Sequence, residues 1–335
     1  MKFGWRGALG IALSGVALWL TLRGIDFGLV VEHIRRANPF LLAVMTAAAT
    51  GIFPLRARRW RPILQSVSPD LPFLPLWRAT AIGMMVSNVV PARAGELARA
   101  YALARETRRV PFTAGFASVA VDRGFDAAVV LLLMFVAMLD PSFSSGAIVA
   151  GQPASRVIAG GAVLAGSGLA VLFLMARFPE AVVRAYGIVA RRIAPRIAER
   201  GGHLLRTFVS GLGVLRQPLL FAEVLWWTLL HWLLNAFAFW LGFLAVGIDA
   251  PFSAALFLQG LIAIGVALPS APGFFGIFEL FAKAGLTIYG VPDDLAVAWA
   301  ISFHFLSFIP ITLVGGWYFV RLGLHMREIG AAAPR

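Results

Sequence analysis

Apolar runs long enough to cross a bilayer recur along this chain, and they restrict its fold more than any single motif does. A helical crossing takes about 20 residues, and runs of that order stand at 5–22, 39–55, 112–139, 155–176, 219–246 and 295–320. The composition agrees: 60% of the 335 residues are hydrophobic and 13% are charged, far from a soluble domain. The first run has Lys2 and Arg6 at its N-terminal end as a signal peptide would, but it ends LWLTLRG without a small-x-small cleavage site, so it is a retained span. The predicted fold is all-α, a polytopic membrane domain occupying 1–335. It has about six full spans, plus two apolar stretches, 73–90 and 252–289, interrupted by proline and glycine.

Charge gives an orientation. Arg56, Arg58, Arg59 and Arg61 follow the second span, eight arginines lie in 177–218, and Arg321 and Arg327 follow the last span. The connections 140–155, 247–251 and 290–294 carry aspartates and no basic residue. The positive-inside rule then puts both termini in the cytoplasm, in the inner membrane of a bacterium, with 23–38 (Arg23, Arg35, Arg36) the one misfit. The net charge of +13 fits loops facing anionic lipid better than it fits nucleic acid, and no nucleic-acid partner is expected. In 177–218, Arg192, Arg196 and Arg200 recur every four residues beside Ile193 and Ile197, a pattern for either an amphipathic surface helix or a solvated connector.

The two interrupted stretches echo each other. PFLPLWRATAIGMMVSNVVPARAG (72–95) and PFSAALFLQGLIAIGVALPSAPG (251–273) both open Pro-Phe and close in PxxxG, Pro91 to Gly95 and Pro269 to Gly273. A glutamate follows each, Glu96 and Glu279. Read as a repeat, with halves 39–139 and 219–320, the copies enter from opposite sides of the membrane, an architecture that transporters use. Pro91, Gly95, Pro269, Pro272, Gly273 and Gly276 are the predicted helix-breaking residues. Broken backbone at membrane depth needs protein or a water-filled cavity around it.

Ionisable groups inside spans are the functional candidates. Arg93, Glu96 and Arg99 follow the first break, where i, i+3 spacing pairs the glutamate with either arginine, and the guanidinium fork suits a phosphate. With Asn88 they form the candidate headgroup-binding set. Asp122, Arg123 and Asp126 form a second cluster, either a self-neutralising ion group or a support for Arg93 or Arg99. Glu279 and Lys283 read as an i, i+4 pair, while His231, Asn235, Gln259 and His304 read as single interhelical hydrogen-bonding groups. No cysteine is present, the five histidines lack zinc-pair spacing, and neither lysine lies in a P-loop, so no metal, cofactor or ATP use is expected.

NVVPARAGELARA, the RRW at 58–60, VDRGFD at 121–126 and LPSAPGFFGIFE at 268–279 resemble the lysylphosphatidylglycerol synthase transmembrane, or flippase-like, family over almost the whole chain. That resemblance implies movement of a phospholipid or lipid-linked molecule between leaflets. In bifunctional members a separate soluble domain performs the synthesis. The sequence runs only to Arg335, soon after the last span, so synthase activity is not expected of it. An integral enzyme modifying a lipid headgroup, or a non-transporting partner of a cytoplasmic lipid-synthesis enzyme, are the alternatives. The second motif departs from the family pattern with Phe274 and Phe275 between its glycines. Oligomeric state is not legible.

Overall fold

The computed structural model describes residues 5–65, 67–90, 94–143, 148–149, 152–153, 178–193, 217–268 and 270–332, with isolated positions between 156 and 206. Apart from the two-residue antiparallel pairing of β1 (Ile148–Val149) with β2 (Gln152–Pro153), the described elements are helical. Helices α1 (Trp5–Leu22) and α2 (Phe27–Arg36) meet at Asp26, whose carboxylate caps α2 by accepting from the Gly28 and Leu29 amides at 2.7 and 3.3 Å. Helix α3 (Pro39–Leu64) starts the same way: Asn38 accepts from Phe40 and Leu41, with Pro39 at the first helical position, where its missing N–H costs nothing. Then come α4 (Phe73–Val89), α5 (Ala94–Thr107), α6 (Phe112–Ala137) and the basic helix α7 (Pro179–Ile193). The second half holds α8 (Pro218–Val246), opened by a proline and closed by the left-handed Gly247 (φ 86°). It continues with α9 (Phe252–Gly265), a 3₁₀ turn (Pro272–Phe274), α10 (Ile277–Thr287), α11 (Asp293–Arg321) and α12 (Met326–Ala332).

The chain is an integral membrane protein by its apolar helices, and its burial pattern is that of a protein in lipid. Leu219, Leu313 and Val320 are exposed, while Arg59, Asp122, Glu279 and His304 are buried. Among the described residues three helices, α3, α8 and α11, are long and apolar enough to cross a membrane. A fourth crossing is available if Leu9–Leu22 and Phe27–Arg36 count as one span bent by 85°. The shortfall from six has local causes. Helix α6 has the length, at 26 residues, but carries Asp122, Arg123 and Asp126, and the run at 155–176 lies largely outside the described residues.

A larger departure concerns the arginines after the second span. They are not in a loop: α3 continues unbroken through Arg56, Arg58, Arg59 and Arg61 to Leu64, and Arg56 and Arg59 are buried. In 177–218, α7 includes Arg192 and Ile193, whereas Arg196, Ile197 and Arg200 fall outside the described residues.

Two apolar cores flank the middle of the molecule. One gathers Met45 and Ala49 of α3 and Val129–Ala137 of α6 around Phe239, Phe243, Phe257 and Trp299. The other gathers Ala57, Trp60, Ile63 and Leu64 of α3 and Val119–Phe125 of α6 around Leu76, Ile82 and Leu103. Helices α3 and α6 thus run through both cores, and Pro54 lies inside α3 between its two contributions.

Candidate functional site

Both interrupted elements are visible in the backbone. The first consists of α4 and α5 joined across the break. Gly83 and Gly95 let these helices touch: a Cβ on Gly83 would lie 2.8 Å from the Gly95 carbonyl and from Arg99 Cβ, and one on Gly95 would overlap Gly83 and Ser87. Pro91 and Arg93, both predicted site residues, lie outside the described residues, as does Pro269. The second element leaves α9 at Gly265 and passes Pro272, Gly273 (φ 67°), Phe274 (φ 64°) and Gly276 (φ 85°) before α10 begins. Positive φ suits the glycines and strains Phe274.

Between the two elements lies a cavity of about 580 Å³. Gly83, Ser87, Gly95 and Glu96 face it from the first element, and Ala263, Ala267, Phe274 and Phe278 from the second. Its floor of charge comes from α3, α5 and α6: Arg56, Arg99, Arg123 and Asp126. Phe239, Ile262, Phe278 and Phe303 add apolar lining.

Behind the charged side runs a buried ion network. Arg59 bridges two carboxylates one helical turn apart, with Nη2 2.5 Å from Asp122 Oδ1 and Nη1 2.5 Å from Asp126 Oδ1. Arg99 Nη1 donates to Asp122 Oδ2 at 2.8 Å, and its guanidinium lies 3.9 Å from the centre of the Trp60 ring. Trp60 is itself fixed by its indole N–H, which donates to Ser118 Oγ at 2.8 Å. Arg123 reaches Glu96 at 3.0 Å and Asp126 at 3.2 Å. The Trp232 indole N–H adds a bond to Asp126 Oδ1 at 3.0 Å. Burying these charges is tolerable because each carboxylate has cationic or N–H donors against it.

Several predicted pairings resolve differently. Glu96 pairs with Arg123 and leaves Arg99 to Asp122, because α6 presents its carboxylate directly to the α5 face that carries Arg99. Asn88 is not brought to the cavity; its amide donates to Thr312 Oγ1 at 2.7 Å and ties α4 to α11. Glu279 does not pair with Lys283. It accepts from the Gly276 amide at 2.6 Å and contacts His304, while Lys283 turns to Asp293 at 2.9 Å. Capping an otherwise unsatisfied helix amide outweighs an i, i+4 ion pair. Asn235 and Gln259 bond each other at 3.0 Å and line the cavity.

Arg56, like Arg59, is a residue that sequence reasoning missed. It is 8% exposed and lines the cavity, and no carboxylate lies within 4 Å of it among the described residues. Its Nη1 rests 3.6 Å from Met84 Sδ, a weak acceptor, and its Nε has no partner. Around the cavity Arg56, Arg59, Arg99 and Arg123 therefore face Glu96, Asp122 and Asp126, an excess of one cation among the described residues. The available signal was its i, i+3 spacing to Arg59, in a stretch that stays helical through Pro54 and Pro62.

Comparison with known proteins follows this geometry. The family model for the lysylphosphatidylglycerol synthase TM region matches residues 7–315. Glycosyltransferase AglD of Haloferax volcanii is 29% identical over 332 residues, covering 92% of this chain but 53% of that protein, so the chain spans about half of that relative's length. A UPF0104 membrane protein of Methanothermobacter thermautotrophicus is 26% identical over 92% of both chains, and another from the same organism is 25% identical over 85% of this chain and 84% of its own. Among solved structures there is no significant match. The chain belongs to the lysylphosphatidylglycerol synthase TM region family.

Proposed function

We propose that this protein moves an anionic phospholipid or lipid-linked molecule between the leaflets of the cytoplasmic membrane, without ATP. The observation that carries the reading is Arg56: a buried cation facing a 580 Å³ cavity with no carboxylate within 4 Å among the described residues. A guanidinium left in that state is costly unless a mobile anion completes it, and the planar fork matches a phosphate. The aromatic and aliphatic lining accommodates the glycerol and first methylenes, so the acyl tails stay in the bilayer. Arg123 stands beside the path, and the carboxylates held by Arg59 and Arg99 keep both arginine-bearing helices in register. The family assignment supports a lipid-related role. The reading places no covalent chemistry in the cavity.

The test is reconstitution into phosphatidylcholine vesicles carrying a trace of head-labelled phosphatidylglycerol, with translocation followed by quenching of the outer leaflet. Arg56→Gln is expected to slow translocation at least about tenfold, the loss of one charge-assisted hydrogen bond, with unchanged thermal unfolding. Wild-type rates in a well-folded Arg56→Gln protein would remove Arg56 from the site.

A further inference from the structure

On the far side of the cavity, Glu279 and His304 form a buried pair that the headgroup reading does not use. They are 4% and 6% exposed. His304 Nε2 lies 2.8 Å from the Gly273 carbonyl oxygen, and Nδ1 lies 2.5 Å from Glu279 Oε1. The second carboxylate oxygen of Glu279 accepts from the Gly276 amide at 2.6 Å. The pair therefore grips both ends of the turn that carries Phe274, a cavity-lining residue in a backbone conformation that a bulky side chain rarely adopts.

Donor and acceptor counting fixes the protons. A carbonyl oxygen only accepts, so Nε2 must carry a hydrogen. If imidazole and carboxylate held no further proton, the Nδ1 lone pair would face a carboxylate oxygen at 2.5 Å. Both contacts exist together only when one extra proton sits between Nδ1 and Oε1, either as imidazolium with carboxylate or as imidazole with carboxylic acid. Loss of that proton forces a choice. The single remaining imidazole hydrogen serves either Glu279 or Gly273, and the other contact breaks.

The surroundings isolate the pair. His304 is sandwiched by Phe275 and Phe278, each with its ring centre 4.5 Å away. On α10, the helix of Glu279, the next charge is Lys283, committed to Asp293 of α11. Helix α9 carries no charged residue, and α4 carries only Arg78, which is paired with Glu106. Helix α1, whose Ser14 accepts from the Ala271 amide, has no ionisable residue between Ala8 and Thr21.

We propose that Glu279 and His304 form a proton-binding site whose occupancy holds or releases the Gly273–Gly276 turn, making the proton a second ligand of this protein. With the proton bound, the pair is neutral overall and the Phe274 wall is fixed. With the proton gone, the Gly273 carbonyl or the carboxylate loses its partner and the turn is free to leave the cavity. Use of this step to drive lipid movement rests on the proposed function; proton binding and the latch do not.

The experiment is amide hydrogen exchange of segment 271–277 in the detergent-solubilised protein, corrected for intrinsic rates, at a series of pH values from about 5 to about 9. Wild-type protection is expected to fall about tenfold or more as pH rises, the loss of a charge-assisted hydrogen bond. Glu279→Gln supplies an amide N–H to Nδ1 and a carbonyl to Gly276, so it should stay protected at every pH. His304→Ala should be unprotected at every pH. A purely structural pair would instead make both variants unprotected and leave the wild type flat, and either result overturns the proposal. Exchange in α8 reports global folding; if either variant loses α8 protection, the wild-type profile alone decides. A pH-dependent latch in a protein that moves no labelled lipid would retain the proton site and remove the lipid reading.

Discussion

The two interrupted elements solve the same backbone problem with opposite chemistry. At the first, α5 is held to α6, and α6 to α3, by full charges: Arg59 and Arg99 on Asp122, Arg123 on Glu96 and Asp126. At the second, the turn before α10 is held by single hydrogen bonds to Ser14 and Glu279 and from His304, inside an aromatic box. Multivalent ion pairs in a low-dielectric interior are rigid and expensive to break. A few hydrogen bonds, one of which depends on a proton, are neither. The comparison identifies the first element as the fixed jaw of the cavity and the second as its adjustable one.

The sharpest way to break that contrast is Asp122→Ala. Asp122 is fully buried between Arg59 and Arg99, and removing it leaves both guanidinium groups without that counter-charge. The expected loss is about 3–5 kcal/mol, read as a large drop in thermal unfolding temperature in detergent. Next comes Gly95→Ala, which keeps every charge but inserts a methyl group against the Gly83 carbonyl and the Ser87 amide. Overpacking of this kind costs about 1–3 kcal/mol and should slow lipid movement by displacing Glu96 and Arg99. The smallest effect belongs to the adjustable side. Ser14→Ala removes the acceptor for the Ala271 amide, 2.7 Å away, at about 1 kcal/mol, with amide exchange rising locally and the unfolding temperature almost unchanged. If Ser14→Ala proved as damaging as Asp122→Ala, the division into fixed and adjustable jaws would fail.

Much of this architecture was legible in order. Apolar length alone located α3, α8 and α11, and the paired proline–glycine motifs located both breaks, because backbone disruption is a local property. The misreadings share one cause. Arg56 and Arg59 lie at the end of an apolar run, where a short-range rule assigns them to the membrane surface. The burial of Arg59 is decided by Asp122 and Asp126, which lie far along the chain and reach it only through the packing of α6. Likewise Glu279 has a plausible neighbour in Lys283, yet its partners are the Gly276 amide and a histidine on another helix. Helix periodicity reports which residues share a face; it carries no information on which face of another helix will arrive there.

Helix α3 has one further consequence. Its two ends are anchored in different cores, and between them Pro54 has no N–H to give to the Thr50 carbonyl, so one rung of the helical ladder is missing. Helix α6 makes the same journey with no proline. A pair of parallel struts, one stiff and one notched at mid-length, yields preferentially at the notch. A flexing of α3 at Pro54 would therefore leave each core packed and shift Arg56, two residues beyond the notch, within the cavity it lines.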